Sequence, residues 1–138
     1  MNSGYYIYIV LGVVIVLAIF VLISYLFPTP EWKTDIIKKL NEISRLSSSR
    51  EPLILSSLLV EADKLLDYTL KKRGIEGTTL ATRLKNAKGY YKKNEYSQIR
   101  VAHKLRNQVA HENDFTLSIS EAHQAIRVLL SAVRKLVE

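Results

Sequence analysis

The chain has 138 residues, 20 Lys and Arg against 13 Asp and Glu for a net charge of +7, and no cysteine. That length holds one modest domain once a membrane segment is subtracted. Without cysteine there is no disulfide framework and no thiolate metal site, and three histidines alone make a poor structural zinc set.

Residues 1–30 carry no charged side chain, and the run from Tyr5 to Phe27 is almost wholly apolar. About 20 apolar residues suffice to cross a bilayer. Tyr5, Tyr6 and Tyr8 stand at one end of the run, and Tyr25, Phe27 and Trp32 at the other, as expected of rings resting in two interfaces. A cleaved leader would bring a basic n-region, a shorter apolar core and a small-residue cleavage site, and none is evident. The expectation is a single-pass anchor held in the lipid bilayer by residues 5–27. No Lys or Arg precedes the span, whereas Lys33, Lys38, Lys39 and Arg45 follow it. The positive-inside rule then places the C-terminal domain in the cytoplasm, under the plasma (inner) membrane.

Pro28-Thr29-Pro30 ends the span, with Thr29 as N-cap and Pro30 as first residue of the next helix. Trp32, Ile36, Leu40 and Ile43 recur there at helical spacing, Glu31, Lys33, Asp35 and Lys39 face water, and Ser47-Ser48-Ser49 closes the helix. A second helix is expected from about Glu51 to Arg73, with Pro52 in its first turn and an apolar face of Leu55, Leu58, Leu59, Ala62, Leu65, Leu66 and Leu70. Lys71, Lys72 and Arg73 suit the negative end of its dipole, and Gly74 suits the C′ position. Thr78 is expected to cap a third helix through Leu80, Leu84, Ala87 and Tyr91 to about Lys93, with Gly89 inside it. A fourth runs from about Glu95 to His111. After a connection at 112–117, Ser118 and Glu121 form an S-x-x-E capping box. They open a last helix striped with Ala122, Ile126, Leu129, Leu130, Val133 and Leu136. No strand alternation is present. The expected fold is all-α: a transmembrane anchor (1–30) followed by a small antiparallel bundle of four to five helices (31–138).

Charge is unevenly spread. Residues 31–70 and 107–138 each net −1, whereas residues 71–106 hold eleven basic side chains against Glu76 and Glu95, net +9. A nucleic-acid backbone or anionic lipid suits such a patch, and so does a plain solvated lysine-rich face.

The fourth helix carries the residues with most chemistry. Ile99, Ala102, Leu105 and Val109 make its apolar arc, and Arg106 interrupts that arc where an unpaired guanidinium would be expensive. His103, Asn107 and His111, four residues apart, form a polar stripe beside it. Arg106 and His111 lie about 140° apart on a continuous helix. They converge on one target only if the helix ends near Ala110 or a second copy supplies the missing half.

Arg106-Asn107-Gln108-Val109-Ala110-His111 resembles the R-x4-6-H motif of HEPN domains, small helical bundles often found in bacterial defence and toxin systems. EADKLLDYTLKKRGIEGTTLATRLKNA (61–87) followed by AHKLRNQVAHE (102–112) is similar to short bacterial HEPN-type proteins of unassigned role, a likeness covering roughly residues 31–138. The resemblance implies a metal-independent endoribonuclease without cofactor, working as a homodimer whose two motifs face one cleft. His111 would serve as general base or acid at the ribose 2′-oxygen, Arg106 would hold the scissile phosphate, and Asn107 would orient one of them. Arg100, His103 and Lys104 would be auxiliary or RNA-contacting. A histidine suits proton transfer near neutrality, a guanidinium offers phosphate a bidentate fork, and RNA supplies its own nucleophile.

A non-catalytic reading has equal standing. Arg106 would then lay its stem on the core and pair with Glu61, Asp63 or Asp67, His111 would cap its own helix, and Asn107 would bond across the bundle. Such a module would serve dimerisation or a partner, the resemblance suggesting a cognate antitoxin or nucleotidyltransferase. A metal site is not expected, since His103 and His111 stand about 12 Å apart along the axis. His123 has no assigned role. Tyr90, Tyr91 and Tyr96 could stack bases, although packing explains Tyr91 equally well.

Overall fold

A computed structural model of the chain describes residues 3–27, 30–112 and 115–138. Its elements are α1 (Ser3–Leu26), α2 (Glu31–Leu46), α3 (Pro52–Lys72), α4 (Leu80–Asn86), a 3₁₀ turn (Lys88–Tyr90), α5 (Lys93–His111) and α6 (Ile119–Val137). All regular structure among the described residues is helical. The chain divides into two units, Met1–Pro30 and Glu31–Glu138.

In the first unit, α1 is apolar on every side, and none of Gly4–Leu26 is buried. At 1.5 Å per residue its 24 residues reach about 36 Å, more than the roughly 30 Å of bilayer hydrocarbon. It is long and apolar enough to cross a membrane.

The second unit is built around α6, whose Ala122, Ile126, Leu129, Val133 and Leu136 are buried against α3, α5 and α2. The Ser118–Glu121 box starts α6: the Glu121 N–H donates to Ser118 Oγ at 3.2 Å and the Ser118 N–H to Glu121 Oε2 at 3.3 Å. Ile36, Leu40 and Ile43 supply the face of α2, and Leu55, Leu59, Leu66 and Leu70 that of α3. The chain reverses within residues 47–51, and Lys39 then meets Glu61 at 3.1 Å, so α2 and α3 run antiparallel. Lys33 Nζ donates to the Val137 carbonyl at 2.8 Å at one end of α6, and His123 Nε2 meets the Ser49 carbonyl at 2.9 Å at the other. Thus α6 is antiparallel to α2 and parallel to α3. The expected antiparallel bundle therefore contains one packed parallel pair, because α5, antiparallel to α6 with Glu95 of its first turn against Lys135 of the last turn of α6, is the one long helix between α3 and α6. Lys33, expected to face water, is instead half-buried and bonded to α6, whereas Lys39 keeps 43% side-chain exposure within its ion pairs.

Three termini differ from the sequence reading. Pro30 precedes α2 rather than opening it, and Thr29 lies outside the described residues. The cap of α4 is Thr79, not Thr78: its Oγ1 accepts the Thr82 N–H at 3.2 Å. The helix expected to reach Lys93 stops at Asn86. Gly89 sits in the 3₁₀ turn, and Tyr91 and Lys92 adopt extended backbone that redirects the chain into α5. Buried Ala87 and Tyr91 kept the apolar period running across this break, which is why spacing alone missed it. By contrast, α3 ends as its composition dictates. Gly74 (φ +74°) donates to the Lys71 carbonyl and Ile75 to the Leu70 carbonyl, and Ile75 packs on the core.

Leu129 is fully buried, whereas Leu53 is 84% exposed. Leu129→Ala is expected to cost about 2–5 kcal/mol in a denaturant titration of the detergent-solubilised chain, and Leu53→Ala less than about 0.5 kcal/mol.

Candidate functional site

Asp63 lies on the apolar face of α3 between Leu59 and Leu66 and is 4% exposed. A carboxylate so placed needs partners, and α5 provides them. His103 Nδ1 stands 2.8 Å from Asp63 Oδ1, and Arg106 Nε stands 3.3 Å from Oδ2. Asn107 closes the circuit: its Nδ2 donates to His103 Nε2 at 3.3 Å and its Oδ1 accepts Arg106 Nη1 at 3.0 Å. Four side chains thus form a ring joining α3 to α5.

The ring sets the state of its members. A buried carboxylate only accepts, so His103 Nδ1 must donate. The Asn107 oxygen is taken by Arg106, so its amide nitrogen faces His103 and Nε2 must accept. The arrangement therefore places a His103 proton on Nδ1, toward Asp63. The Arg106 Nε lies within ion-pair distance of Asp63 but is misaligned for a hydrogen bond, and it is buried without another partner. Of the five guanidinium N–H groups, one is engaged in a hydrogen bond among the described residues.

The ring forms one wall of an open pocket of about 630 Å³, where Arg106, His103 and Asn107 face Lys64 and Lys71. One turn along α3 from Asp63, a second carboxylate lines the same pocket. Asp67 Oδ1 accepts Arg83 Nε at 2.7 Å, and its Oδ2 meets Lys71 Nζ at 2.8 Å. Burial would raise the Asp67 carboxyl, but these two cations hold it below its ordinary value. Arg83, itself buried, also donates to the Gly77 carbonyl. At Gly77 φ is +150°, and a Cβ would stand 2.8 Å from the Arg83 nitrogen, so this close approach requires glycine. The loop between α3 and α4 is thereby tied to the pocket rim.

The sequence-derived residues separate into two groups. Arg106, Asn107 and His103 meet at the pocket. His111, the last residue of α5, is exposed and enters no side-chain hydrogen bond or ion pair among the described residues. Helix α5 runs unbroken from Lys93 to His111, so the turn of about 140° between Arg106 and His111 stands. Of the three acids considered as partners of Arg106, Asp63 fills that place, while Glu61 and Asp67 pair elsewhere. Arg100 and Lys104 are exposed farther along α5. The Arg83–Asp67 clamp was not anticipated, because an arginine at the rim of a short helix carries no periodic signal.

No family model, curated protein or solved structure matches the chain.

Asp63→Ala would leave an imidazole and a guanidinium facing a vacated acceptor. The expected cost is about 3 kcal/mol, at the low end for a broken buried pair because the Arg106 side chain keeps 22% exposure. The same denaturant titration should find Lys64→Ala within about 0.5 kcal/mol of wild type. For Asp67, a folded-state value below the unfolded one adds stability that is complete above about pH 4 and lost as pH falls through the folded value. Acid titration by circular dichroism should therefore show a shallower acid-side loss in Asp67→Asn than in wild type.

Proposed function

We propose that the chain is a membrane-anchored HEPN-type domain acting as a metal-independent endoribonuclease. Helix α1 would hold it in the inner membrane with the bundle in the cytoplasm, and two copies would share one cleft. The observation that carries this reading is Arg106: oriented by Asp63 and Asn107, it keeps most of its N–H groups uncommitted at an open, lysine-flanked pocket.

In the reaction, Arg106 binds the non-bridging oxygens of the scissile phosphate through its fork and offsets the charge that builds there. His111 of the second copy removes the 2′-hydroxyl proton. The 2′-oxygen forms a bond to phosphorus, the bond to the 5′-oxygen breaks, and that oxygen takes a proton from water, the hydroxide so formed being neutralised by the proton that His111 accepted and returns to solvent. The products are a 2′,3′-cyclic phosphate and a 5′-hydroxyl. Asn107 acts as a positioning residue, its carbonyl oxygen fixing the Arg106 plane.

One observation favours the alternative of a non-catalytic, membrane-tethered interaction module. Asp63 already balances the Arg106 charge inside the fold, as a purely structural pair would. The partner would then be a second copy, an antitoxin or a nucleotidyltransferase.

The full chain in neutral-lipid nanodiscs, incubated with mixed cellular RNA, decides between them. The ribonuclease reading expects cleavage that survives EDTA and falls by about 100-fold or more in His111→Ala and in Arg106→Ala. Because Arg106 and His111 act from opposite copies, mixing the two inactive variants in detergent before reconstitution restores part of the activity. A dimeric, folded wild type that leaves RNA intact supports the interaction module.

A further inference from the structure

Between the α4–3₁₀ segment and α5 lies an open groove of about 920 Å³, whose lining includes Lys85, Lys88, Arg100 and Lys104 but no Asp or Glu. None of these four cations enters an ion pair within 4 Å among the described residues, whereas Lys39, Lys71, Arg83, Arg106 and Lys135 all do. The positive charge on this face is therefore uncompensated. Tyr96 stands in the same groove, half-buried, with Lys88 Nζ at 5.9 Å and the Arg100 guanidinium carbon at 6.0 Å from its ring centroid.

The groove leads to the candidate site. Its wall shares Ala81 and His103 with the pocket that contains Arg106. On α5, Tyr96, Arg100, His103 and Asn107 fall within about 60° of one another around the axis. They make one stripe about 16 Å long, from the aromatic ring to the ring of hydrogen bonds.

We infer that this groove is the track of a single-stranded RNA, and the inference rests on the ribonuclease reading above. Tyr96 stacks a base, Lys88 and Arg100 hold the phosphates on either side of it, and Lys104 and His103 guide the strand toward Arg106. A flat ring flanked by cations suits unpaired nucleotides, whose bases expose a π face. A duplex keeps its bases stacked internally and offers the groove its backbone alone.

The test uses the full chain in neutral-lipid nanodiscs and fluorescence anisotropy of a short, mixed-sequence 2′-O-methyl RNA. That strand lacks the nucleophile and stays uncut. Wild type should bind it more tightly than the duplex of the same sequence. Tyr96→Leu should weaken binding by about tenfold, with Tyr96→Phe close to wild type. The double variant Arg100→Ala, Lys104→Ala should lower the dependence of log affinity on log salt by about 0.7 per cation removed. Arg127→Ala, exposed on α6 outside this groove, should change nothing. A wild type that binds this strand yet leaves its unmodified counterpart intact keeps the groove and removes the ribonuclease. Equal affinity for the duplex, or unchanged binding in both the Tyr96→Leu and the double variant, overturns the inference. So does absence of strand binding together with protection of Lys88 and Lys104 from acylation in anionic but not neutral discs, which assigns the groove to a lipid surface.

Discussion

The buried carboxylate of Asp63 is the constraint on which the site depends. Its solvation is lost inside the bundle, and two side chains of α5 replace it: the imidazole of His103 on one oxygen and the guanidinium of Arg106 near the other. Because His103 and Arg106 are three residues apart on a helix, they can reach one carboxylate together only if α5 presents this face to α3. The pair therefore sets the rotation of α5 as well as its own geometry. Asn107 then has one remaining arrangement that satisfies both neighbours. Electrostatics inside the core and orientation at the pocket mouth are a single feature.

That coupling explains how a charged residue can sit in an apolar arc. Leu105 and Val109 are only half-buried, and Arg106, beside them on α5, lines the open pocket with its Nε buried. The cost of holding a guanidinium there is offset by Asp63, while the Arg106 side chain keeps 22% exposure at the pocket. One turn farther along α3, Arg83 and Lys71 do the corresponding work for Asp67, and Arg83 ties down the loop that leads to α4 through the Gly77 carbonyl. Two of the three acids of α3, Asp63 and Asp67, thus serve the pocket, while Glu61 pairs with Lys39. The uncompensated cations lie on the neighbouring groove.

Much of this was legible in the chain. The apolar stripes of α2, α3 and α6 predicted most of their buried faces, because each is a long helix with one side packed, though they left out Thr69, Ala125, Ala132 and Val137 and counted the partly exposed Trp32. The Ser118–Glu121 box and Gly74 marked helix ends through chemistry that acts locally. Arg106 stood out as a charge out of place, and Asp63 was readable by the same rule, since it shares a face with Leu59, Leu66 and Leu70. Choosing among Glu61, Asp63 and Asp67 was beyond the sequence, because that choice depends on how α5 is rotated against α3. The break after Asn86 was also hidden. Ala87 and Tyr91 stay buried across it and preserve a helical apolar period through a segment that is not one helix.

The claim that Asp63, His103, Asn107 and Arg106 form one preassembled unit is tested most directly by heteronuclear NMR of the imidazole nitrogens in the full chain. The ring requires the His103 proton to sit on Nδ1 at neutral pH, donated to Asp63, with Nε2 bare and accepting from Asn107. That tautomer, together with its loss in Asp63→Asn, is the predicted result. A proton on Nε2 in the wild type, or a His103 spectrum indifferent to the Asp63 substitution, would contradict the account.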